Sequence, residues 1–536
     1  MKKILLGNEA IVQGALEAGV EYATAYPGTP SSEIGNVFAK LAKKNNAYFE
    51  FATNEKTALE SSIGASYSGM KTLTAMKNFG LNVALDSFLP FCYTGVNGAS
   101  VIVVADDPSC WSSGQSEENS RAFAYLSNVP FLEPSDPQEA KDFTKLGYEI
   151  SEQFKIPVVL RITTRVAHQS MPVSVERIDK QRKKAKFTKG DYLTMPPRVL
   201  EQKQELLAKL EKIKRSSLRY KLNKIEKGER KDMGIIVSGI SYLHLKESQE
   251  ILGENFPILK IGLFYPLDEK IITEFLQDFK KVLIIEELEG YLEKEVRIIA
   301  QKNNLKTEII GKDNFPVTGE LNVNIINNAL ANILKKEISP KKTNGKIEKR
   351  LPRFCPGCPY WYVFSTIKKI APNDVVYGGD IGCYMLGSLA PHNMADFMLC
   401  MGASIGVGHG INKASNQNVI SFIGDSTFFH AGIPALINAV FNKSKILIII
   451  LDNQITAMTG HQTNPGLGIT AMEEKTKEIK IEEIVKACGV ENLKVLDPQD
   501  IKEFEKTAKD YLNKEGVSVI IARRMCALLA KRYAKQ

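Results

Sequence analysis

VISFIGDS at residues 419–426 and KILIIILDN at residues 445–453 are two apolar runs that decide the fold of the last third of the chain. Continuous β-branched and aliphatic runs of this length are typical of buried strands in a parallel sheet. Residues 433–442, which lie between them, have the spacing of an amphipathic helix. This order of elements predicts one strand–helix–strand unit with parallel strands.

Polar residues follow both predicted strands at the point where each strand ends. Asp425 comes directly after Gly424, and Asn453 ends the second run. The carboxyl ends of parallel strands meet at one edge of the sheet, where ligands bind in open α/β folds. A carboxylate, an amide oxygen and a nearby backbone carbonyl suit Mg²⁺, which bridges to diphosphates. Gly424 would let a diphosphate approach the backbone closely, and the following helix N-terminus favours an anion.

The rest of the chain also alternates between strands and helices. Val101–Ala105 and Pro157–Ile162 are predicted strands, Glu55–Ser68 is a predicted helix, and a basic, polar link is expected at Lys335–Lys349. We predict an α/β protein in which two parallel-sheet domains flank a smaller α/β domain. The predicted segments are a first domain at 1–175, a basic helical linker at 176–231, a middle domain at 232–335 and a third domain at 350–536.

Composition limits the class of protein. A chain of 536 residues with 44% hydrophobic and 24% charged residues is typical of a multidomain globular protein. The net charge of +9 comes largely from one basic stretch and gives only weak support for a nucleic-acid partner, so we expect none. The longest apolar run, Ile446–Leu451, is far shorter than the ~20 residues of a membrane helix, and the N-terminus has no secretory pattern. We therefore expect a cytoplasmic protein without a membrane partner.

The cysteines form a second candidate site. Eight cysteines in so long a chain do not resemble a disulfide framework. Cys355 and Cys358 form a CPGC motif, Cys383 follows in DIGCY, and Cys526 ends the predicted strand SVIIARRMC. An isolated CxxC is compatible with zinc, a redox pair or plain burial, and the spacing alone leaves these open. The other cysteines, Cys92, Cys110, Cys400 and Cys488, are expected to pack as small apolar side chains.

Ordered motifs extend over nearly the whole chain. They include YPGTPSSEI at 26–34, MKNFGLNVALDSF at 76–88, GQSEENSRAFA at 114–124, CPGCP at 355–359, GGDIGCYMLG at 378–387, MGASIGVGHG at 401–410 and LDNQITAMTGHQ at 451–462. Together they resemble the large subunits of indolepyruvate:ferredoxin oxidoreductases, which belong to the thiamine-diphosphate-dependent 2-oxoacid oxidoreductases. The resemblance implies that residues 1–175 bind the aminopyrimidine of the cofactor and 350–536 its diphosphate.

The resemblance also implies roles for individual residues. Glu55 would be the catalytic carboxylate at N1′ of the aminopyrimidine, and Thr29 would contact substrate and cofactor. The expected Mg²⁺ ligands are Asp425, Asn453 and the backbone carbonyl of Ile455. The expected cofactor contacts are Gly402, Gly424, Asp425, Ser426, Asn453 and His430, where Ser426 replaces the glycine usual in the diphosphate motif. The expected ligands of a [4Fe–4S] cluster are Cys355, Cys358, Cys383 and Cys526.

The implied activity is oxidative decarboxylation of aryl 2-oxoacids. Coenzyme A would take the acyl group, and electrons would pass through the cluster to ferredoxin or a small iron–sulfur protein. A smaller beta subunit is the expected partner in a hetero-oligomer. Longer members of the family end in a ferredoxin-like domain with repeated cysteine motifs, whereas this sequence stops at RYAKQ. We therefore expect that domain to be lacking, so that either a separate small iron–sulfur protein docks or free ferredoxin reaches the cluster directly.

Several alternatives remain open at this stage. A non-oxidative thiamine-dependent decarboxylase or synthase has a similar length and domain class, but it has no use for four cysteine ligands. A subunit that binds thiamine only structurally is a further alternative, which the presence of Glu55 disfavours. His430 and His461 could hydrogen-bond cofactor or substrate. A substrate carboxylate could bind to Arg121, Arg161 or Arg165.

Overall fold

The structure is a computed structural model that describes residues 1–112, 114–178, 185–337 and 350–534. The chain divides into two compact units, of which the first contains Met1–Glu50 and Glu55–Thr343 and the second contains Phe51–Asn54 and Asn344–Gln536. Much of the predicted basic stretch, at 179–184, and most of the predicted polar link, at 338–349, lie outside the described residues.

The first unit begins with strands and helices in regular alternation. Its first elements are β1 (Lys2–Leu6), α1 (Gly7–Glu17), β2 (Tyr22–Ala25), α2 (Ser32–Ala42), β3 (Tyr48–Phe51), α3 (Glu55–Tyr67), β4 (Thr72–Lys77), α4 (Asn78–Thr94), β5 (Ser100–Asp106), α5 (Ala122–Ser127), β6 (Phe131–Leu132), α6 (Pro137–Phe154), β7 (Val158–Thr163), α7 (Thr164–His168) and β8 (Ser170–Ser174). Strands β5 and β7 are buried along their whole length, as their continuous apolar sequence predicts.

The same unit continues with a long helix and a second run of strands. These elements are α8 (Arg198–Tyr220), β9 (Lys224–Glu226), β10 (Met233–Ser238), α9 (Ser241–Leu252), β11 (Ile258–Ile261), β12 (Leu263–Tyr265), α10 (Glu269–Gln277), β13 (Lys281–Ile285), α11 (Tyr291–Lys302), β14 (Glu308–Ile310) and α12 (Val323–Leu334). Helix α8 accounts for much of the predicted helical linker, and its surface is largely charged.

Two larger sheets organise this unit. Within the described residues, the first has the strand order β12-β6-β7-β5-β4-β2-β3, and its pairs β2–β4, β4–β5, β5–β7 and β6–β7 are parallel. The second has the order β14-β13-β10-β11-β9, with β9 antiparallel. Strand β12 belongs to the first sheet, where Leu263 pairs with Leu132, although its sequence lies inside the predicted middle domain.

The second unit contains a parallel sheet covered on both faces. Its elements are α13 (Pro359–Ile370), β15 (Val376–Gly378), α14 (Ala403–Ser415), β16 (Val419–Gly424), α15 (Asp425–Thr427), α16 (Ile433–Phe441), β17 (Ile446–Asp452), α17 (Ile481–Ala487), β18 (Asn492–Leu496), α18 (Ile501–Leu512), β19 (Ser518–Arg523) and α19 (Ala527–Tyr533). The strand order of the described sheet is β15-β16-β17-β19-β18, and all its pairs are parallel.

Side chains of β16 alternate between the two cores of this unit. Ile420 and Phe422 pack with α13 and α18, whereas Val419 and Ile423 pack with α14, α16 and α17. This period of two explains why the run VISFIG is apolar at nearly every position. The parallel sheets confirm the predicted α/β class. In the part of the chain that the structure describes, no helix has both the length and the apolarity needed to cross a membrane.

Candidate functional site

The ends of two neighbouring strands bring the predicted Mg²⁺ ligands to one edge of the second unit. Strands β16 and β17 are parallel, and Gly424 pairs with Leu451. Asp425 therefore follows β16 at the same edge at which Asn453 follows β17. This edge lies at the carboxyl ends of the strands, where ligands bind in open α/β sheets.

Asp425 is a buried carboxylate that accepts a hydrogen bond from a neutral amide. The amide Nδ2 of Asn464 donates to Asp425 Oδ2 at 3.0 Å. Burial, followed by the negative charge of Asp452, raises the pKa of Asp425 well above its usual range. Asp452 itself forms an ion pair with Arg523, at 2.6 Å between Oδ2 and Nε. A buried carboxylate of this kind is a suitable ligand for a divalent cation, whose charge would stabilise its ionised form.

Asn453 and Ile455 form a tight turn directly after β17. The backbone amide of Ile455 donates to Asn453 Oδ1 at 3.1 Å. Asn453 and Ile455 are both buried. The turn holds the side chain of Asn453 against Ile455, whose backbone carbonyl is another predicted ligand. The oxygen-rich donor set fits Mg²⁺ in its chemistry.

At this edge of the second unit, glycines allow the backbone to lie close to neighbouring groups. A side chain at Gly424 would begin 2.6 Å from the Tyr384 ring, so only glycine fits there. Gly402 has φ +87°, and its amide donates to Asp380 Oδ1 at 3.0 Å. The other oxygen of Asp380 accepts from the amide of Ser404 at 3.0 Å, which fixes the start of α14. Burial raises the pKa of Asp380 to about 6. Asp380 was not predicted from the sequence, although its place inside GGDIG is a usable signal.

The remaining predicted cofactor contacts of this unit lie on the segment after β16. Ser426 Oγ accepts a hydrogen bond from Thr456 Oγ1 at 3.0 Å. His430 is buried in a wide helical turn, Phe428–Gly432, and its carbonyl accepts from Asn54 Nδ2 at 3.2 Å. The turn connects α15 to α16, so the predicted helix at 433–442 is preceded by an irregular turn of helix that the sequence did not reveal.

The CPGC motif forms a turn that packs beside the distant fourth cysteine. The amide of Cys358 donates to the carbonyl of Cys355 at 3.0 Å. Gly357 has φ +79°, and a Cβ placed on it would lie 3.8 Å from the Cβ of Ala527, the residue after Cys526. Cys358 and Cys526 directly precede α13 and α19, respectively. The turn and Cys526 are therefore neighbours.

The four predicted cluster ligands influence one another electrostatically. Burial, followed by the charges of Cys355 and Cys526, raises the pKa of Cys358 to about 11. Burial, followed by the charges of Cys358, Cys526 and Cys355, raises the pKa of Cys383 to about 12. Four sulfur atoms thus share one region of the second unit. Such thiols favour a bound cationic centre, which neutralises their mutual repulsion once they ionise.

The sulfur atoms of the four predicted cluster cysteines are not arranged like the ligands of a single metal ion. Among the described residues, no three His, Cys, Asp or Glu side chains form a group that could hold a single metal ion. The ligands of a [4Fe–4S] cluster bind different iron atoms and stand further apart than the ligands of one ion. The donor set of four cysteines fits such a cluster in its chemistry.

The cysteine region and the diphosphate-type edge are joined by backbone hydrogen bonds. The amide of Cys526 donates to the carbonyl of Asn453 at 3.2 Å, and the amide of Arg524 donates to that of Asp452 at 3.0 Å. The charge of Asp425 also contributes to the raised pKa of Cys383. Both predicted sites therefore occupy the carboxyl edge of one sheet.

His461 lies at the cysteines. Its Nε2 is 3.6 Å from Cys526 Sγ. Burial, followed by the positive charge of Arg532, lowers the pKa of His461. His461 was considered from the sequence as one of two histidines that could hydrogen-bond cofactor or substrate, and no sequence signal pointed to a contact with a cysteine so distant in the chain.

In the first unit, Glu55 begins α3 and is buried. A Cβ on Gly80 would lie 2.6 Å from Cγ of Glu55, so that glycine makes room for the carboxylate side chain. Thr29 is half-buried after β2. The neighbouring Gly28 packs against Lys77, whose Cγ would lie 2.8 Å from a Cβ at that position.

Lys77 is a further charged residue of the first unit that was not predicted from the sequence. It ends β4, and burial lowers its pKa although the charges of Asp107 and Glu55 act in the opposite direction. A lysine at a strand end carries no spacing signal by itself. Its position at the carboxyl end of β4 becomes apparent only in the folded structure.

Two of the arginines considered for a substrate carboxylate are engaged in a buried ion network. Arg121 is 1% exposed, and its guanidinium donates to Glu133 and Glu286 at 2.6–2.7 Å. Arg161 is also buried, and its Nε donates to Asp106 at 2.7 Å. We therefore correct the hypothesis that Arg121 or Arg161 binds a substrate carboxylate, because both arginines have a structural role. Arg165 is exposed, and its Nε donates to Glu320 at 2.7 Å.

The other cysteines behave only in part as predicted. Cys92 is buried, and Cys110 and Cys488 are half-buried. Cys400 is exposed, so its expected packing as an apolar side chain is wrong. It lies just before Gly402, where the chain turns sharply into α14.

Three family models match successive parts of the chain. Residues 13–230 match "Pyruvate flavodoxin/ferredoxin oxidoreductase, thiamine diP-bdg", residues 223–353 match "Indolepyruvate oxidoreductase domain", and residues 380–522 match "Thiamine pyrophosphate enzyme, C-terminal TPP binding domain". The third match contains the Asp425 and Asn453 edge.

Curated relatives align with almost the entire chain. The chain is 42% identical to indolepyruvate oxidoreductase subunit IorA of Pyrococcus horikoshii, over 98% of this chain and 86% of that protein. It is 43% identical to the IorA protein of Thermococcus kodakarensis, with the same two coverages. A solved 2-oxoglutarate:ferredoxin oxidoreductase from Magnetococcus marinus shares the fold, with a TM-score of 0.51 and 19% identity, over 62% of this chain and 65% of that one.

Proposed function

Because the chain belongs to the family of the indolepyruvate oxidoreductase subunits IorA, we propose that it catalyses the oxidative decarboxylation of aryl 2-oxoacids such as indolepyruvate. Coenzyme A is the proposed acyl acceptor, and ferredoxin or a small iron–sulfur protein is the proposed electron acceptor. The smaller beta subunit, corresponding to the second protein implied by the name IorA, completes a hetero-oligomer.

The proposed domains follow the predicted segments. Residues 1–175 hold the aminopyrimidine, 176–231 are a linker, 232–335 form the middle domain, and 350–536 hold the diphosphate, Mg²⁺ and the cluster. Asp425, Asn453 and the carbonyl of Ile455 are the proposed Mg²⁺ ligands. The proposed diphosphate contacts are at Gly402, Gly424, Ser426 and His430. The polar, glycine-lined edge at the ends of β16 and β17 supports these proposed ligands and contacts.

Two bound groups would supply the redox chemistry. When bound, thiamine diphosphate provides an electron sink for decarboxylation and a [4Fe–4S] cluster accepts single electrons. Glu55 holds a carboxylate at N1′ of the aminopyrimidine and thereby favours the tautomer that can take up a proton. Thr29 contacts the substrate and the cofactor. Cys355, Cys358, Cys383 and Cys526 hold the cluster.

One observation carries the oxidative proposal. The amide of Cys526 is hydrogen-bonded to the carbonyl of Asn453, so that a proposed cluster ligand and a proposed Mg²⁺ ligand are fixed to each other. An electron carrier at the cysteines would therefore lie beside the cofactor's diphosphate end. A non-oxidative decarboxylase has no need for this arrangement.

The test is an anaerobic assay of the chain together with its beta subunit. We expect indolepyruvate to reduce ferredoxin or a viologen dye, with formation of an acyl-CoA, only when coenzyme A is present. Pyruvate and 2-oxoglutarate serve as comparison substrates. Release of CO₂ and an aldehyde without any reduction of the acceptor would contradict the proposal and favour the non-oxidative decarboxylase.

A further inference from the structure

The loop Thr456–Gln462 connects the end of the diphosphate-type edge with the cysteine region. It begins immediately after Ile455, and two backbone hydrogen bonds close it, from Thr456 N to Gln462 O at 3.0 Å and from Gln462 N to Thr456 O at 3.2 Å. The side chain of Gln462 also binds Thr459, through Thr459 Oγ1 at 2.7 Å and its carbonyl at 2.8 Å. The loop therefore has a defined conformation.

Two side chains of this loop contact two of the four cysteines. His461 Nε2 lies 3.6 Å from Cys526 Sγ, and Met458 Sδ lies 4.0 Å from Cys383 Sγ. A distance of 3.6 Å is normal for a hydrogen bond between nitrogen and the larger sulfur atom. Met458 Sδ has no hydrogen and accepts from Cys383 Sγ, so of these two loop side chains only the histidine can donate a hydrogen bond to a sulfur.

Both partners of the histidine contact are held by backbone structure. His461 has φ +64°, and its loop closes through the Thr456–Gln462 pair. Cys526 is fixed by its amide hydrogen bond to Asn453. The main chains of both residues are therefore held in place at the point where the imidazole contacts the sulfur.

We propose that His461 donates its Nε2 hydrogen to the sulfur of Cys526 and thereby raises the reduction potential of the [4Fe–4S] cluster. This inference rests on the proposed function, because it takes Cys526 as a cluster ligand. Reduction adds one negative charge to the cluster, and the charge is shared with the ligand sulfurs. A hydrogen bond to such a sulfur stabilises the reduced form more than the oxidised form. His461 is thus a positioning residue for electron transfer.

The experiment is a potentiometric titration, followed by electron paramagnetic resonance, of the anaerobically purified complex with its beta subunit. His461→Phe keeps a ring but removes the donor, whereas His461→Gln keeps an N–H donor. His409→Phe is the matched control, since the His409 imidazole contacts Ser444 instead of a cysteine. Iron content is measured for each variant.

We expect His461→Phe to retain its iron and to become harder to reduce by about tenfold in the one-electron equilibrium constant, which corresponds to about 59 mV. His461→Gln and His409→Phe should remain close to the unmodified complex. An iron-loaded His461→Phe complex with an unchanged potential would overturn the inference and leave the proposed function intact. A wild-type complex without any [4Fe–4S] cluster would overturn both.

A second measurement covers the case in which His461→Phe loses its cluster. The unmodified complex is labelled with ¹⁵N-histidine, and the nitrogen couplings of the reduced cluster are recorded by pulsed electron paramagnetic resonance. We expect a weak ¹⁵N coupling that persists in His409→Phe and disappears in His461→Gln. A reduced cluster without a histidine coupling would contradict the hydrogen bond.

Discussion

The backbone amide of Cys526 lies 3.2 Å from the carbonyl oxygen of Asn453 and donates a hydrogen bond to it. The two residues are distant in sequence, and the parallel pairing of β17 with β19 brings them together. Asn453 is a proposed Mg²⁺ ligand and Cys526 a proposed cluster ligand. The sheet therefore provides a short structural connection between the cofactor's diphosphate end and an electron carrier.

Replacing Glu55 by Gln should reduce turnover about 10²-fold or more while preserving the fold. Glutamine can still hydrogen-bond N1′, but it cannot favour the required tautomer as a carboxylate does. Steady-state turnover and circular dichroism are the measurements. Glu60→Gln is the matched control, because Glu60 lies on the same helix and pairs with Lys56 at the surface. Near-normal turnover in Glu55→Gln would remove this residue from the mechanism.

Replacing Asp425 by Ala should weaken binding of Mg²⁺-thiamine diphosphate at least about tenfold, because a charged oxygen ligand is lost. The measurement is a titration of cofactor into protein from which it has been removed. Asp374→Ala removes an exposed aspartate of the same unit and should leave the affinity unchanged. Equal affinities of the two variants would mean that Asp425 only ends a strand.

Replacing Cys526 by Ala should remove or damage the cluster, with loss of its broad visible absorption and of 2-oxoacid-dependent acceptor reduction. Decarboxylation of the first substrate molecule should survive, because the proposed thiamine-binding residues are unchanged. Cys400→Ser is the control, since Cys400 is exposed and is not a proposed ligand. Full iron content and turnover in Cys526→Ala would refute the set of four ligands.

Replacing Arg121 by Ala should lower the free energy of unfolding of the first unit by about 3–5 kcal/mol, because Glu286 would lose its buried arginine and Glu133 would keep only Arg161. Arg165→Ala removes an exposed arginine that is paired with Glu320, and it should cost less than about 1 kcal/mol. Urea denaturation followed by fluorescence measures both. Similar losses in the two variants would contradict the structural role assigned to Arg121.

The features that could be predicted from the sequence are those that leave a regular pattern of apolar residues. The runs before Asp425 and Asn453 are apolar at nearly every position because both faces of their sheet are covered, and parallel pairing then fixes where the strands end. The α/β class and the edge that collects these residues follow from that pattern. The grouping of the cysteines came from family resemblance, since no spacing rule relates Cys383 to Cys526.

Features that depend on tertiary contacts were not predictable in the same way. Strand β12 has three residues, too few for a period to be recognised, and it joins a sheet formed by earlier sequence. The partners of Arg121 include Glu286, which lies after β13. Lys77 and Asp380 are single charged residues whose burial arises only when neighbouring strands and glycines come together. Such contacts leave no local pattern in the chain.

The most direct test of the central claim is a determination of metals, sulfide and thiamine in the anaerobically purified complex, combined with electron paramagnetic resonance after addition of indolepyruvate. We expect about four iron and four sulfide atoms at the Cys355, Cys358, Cys383 and Cys526 site. We also expect bound thiamine diphosphate and a cluster signal that appears when the substrate is added. Protein that contains zinc or no metal at this site, and that still decarboxylates indolepyruvate, would contradict the account.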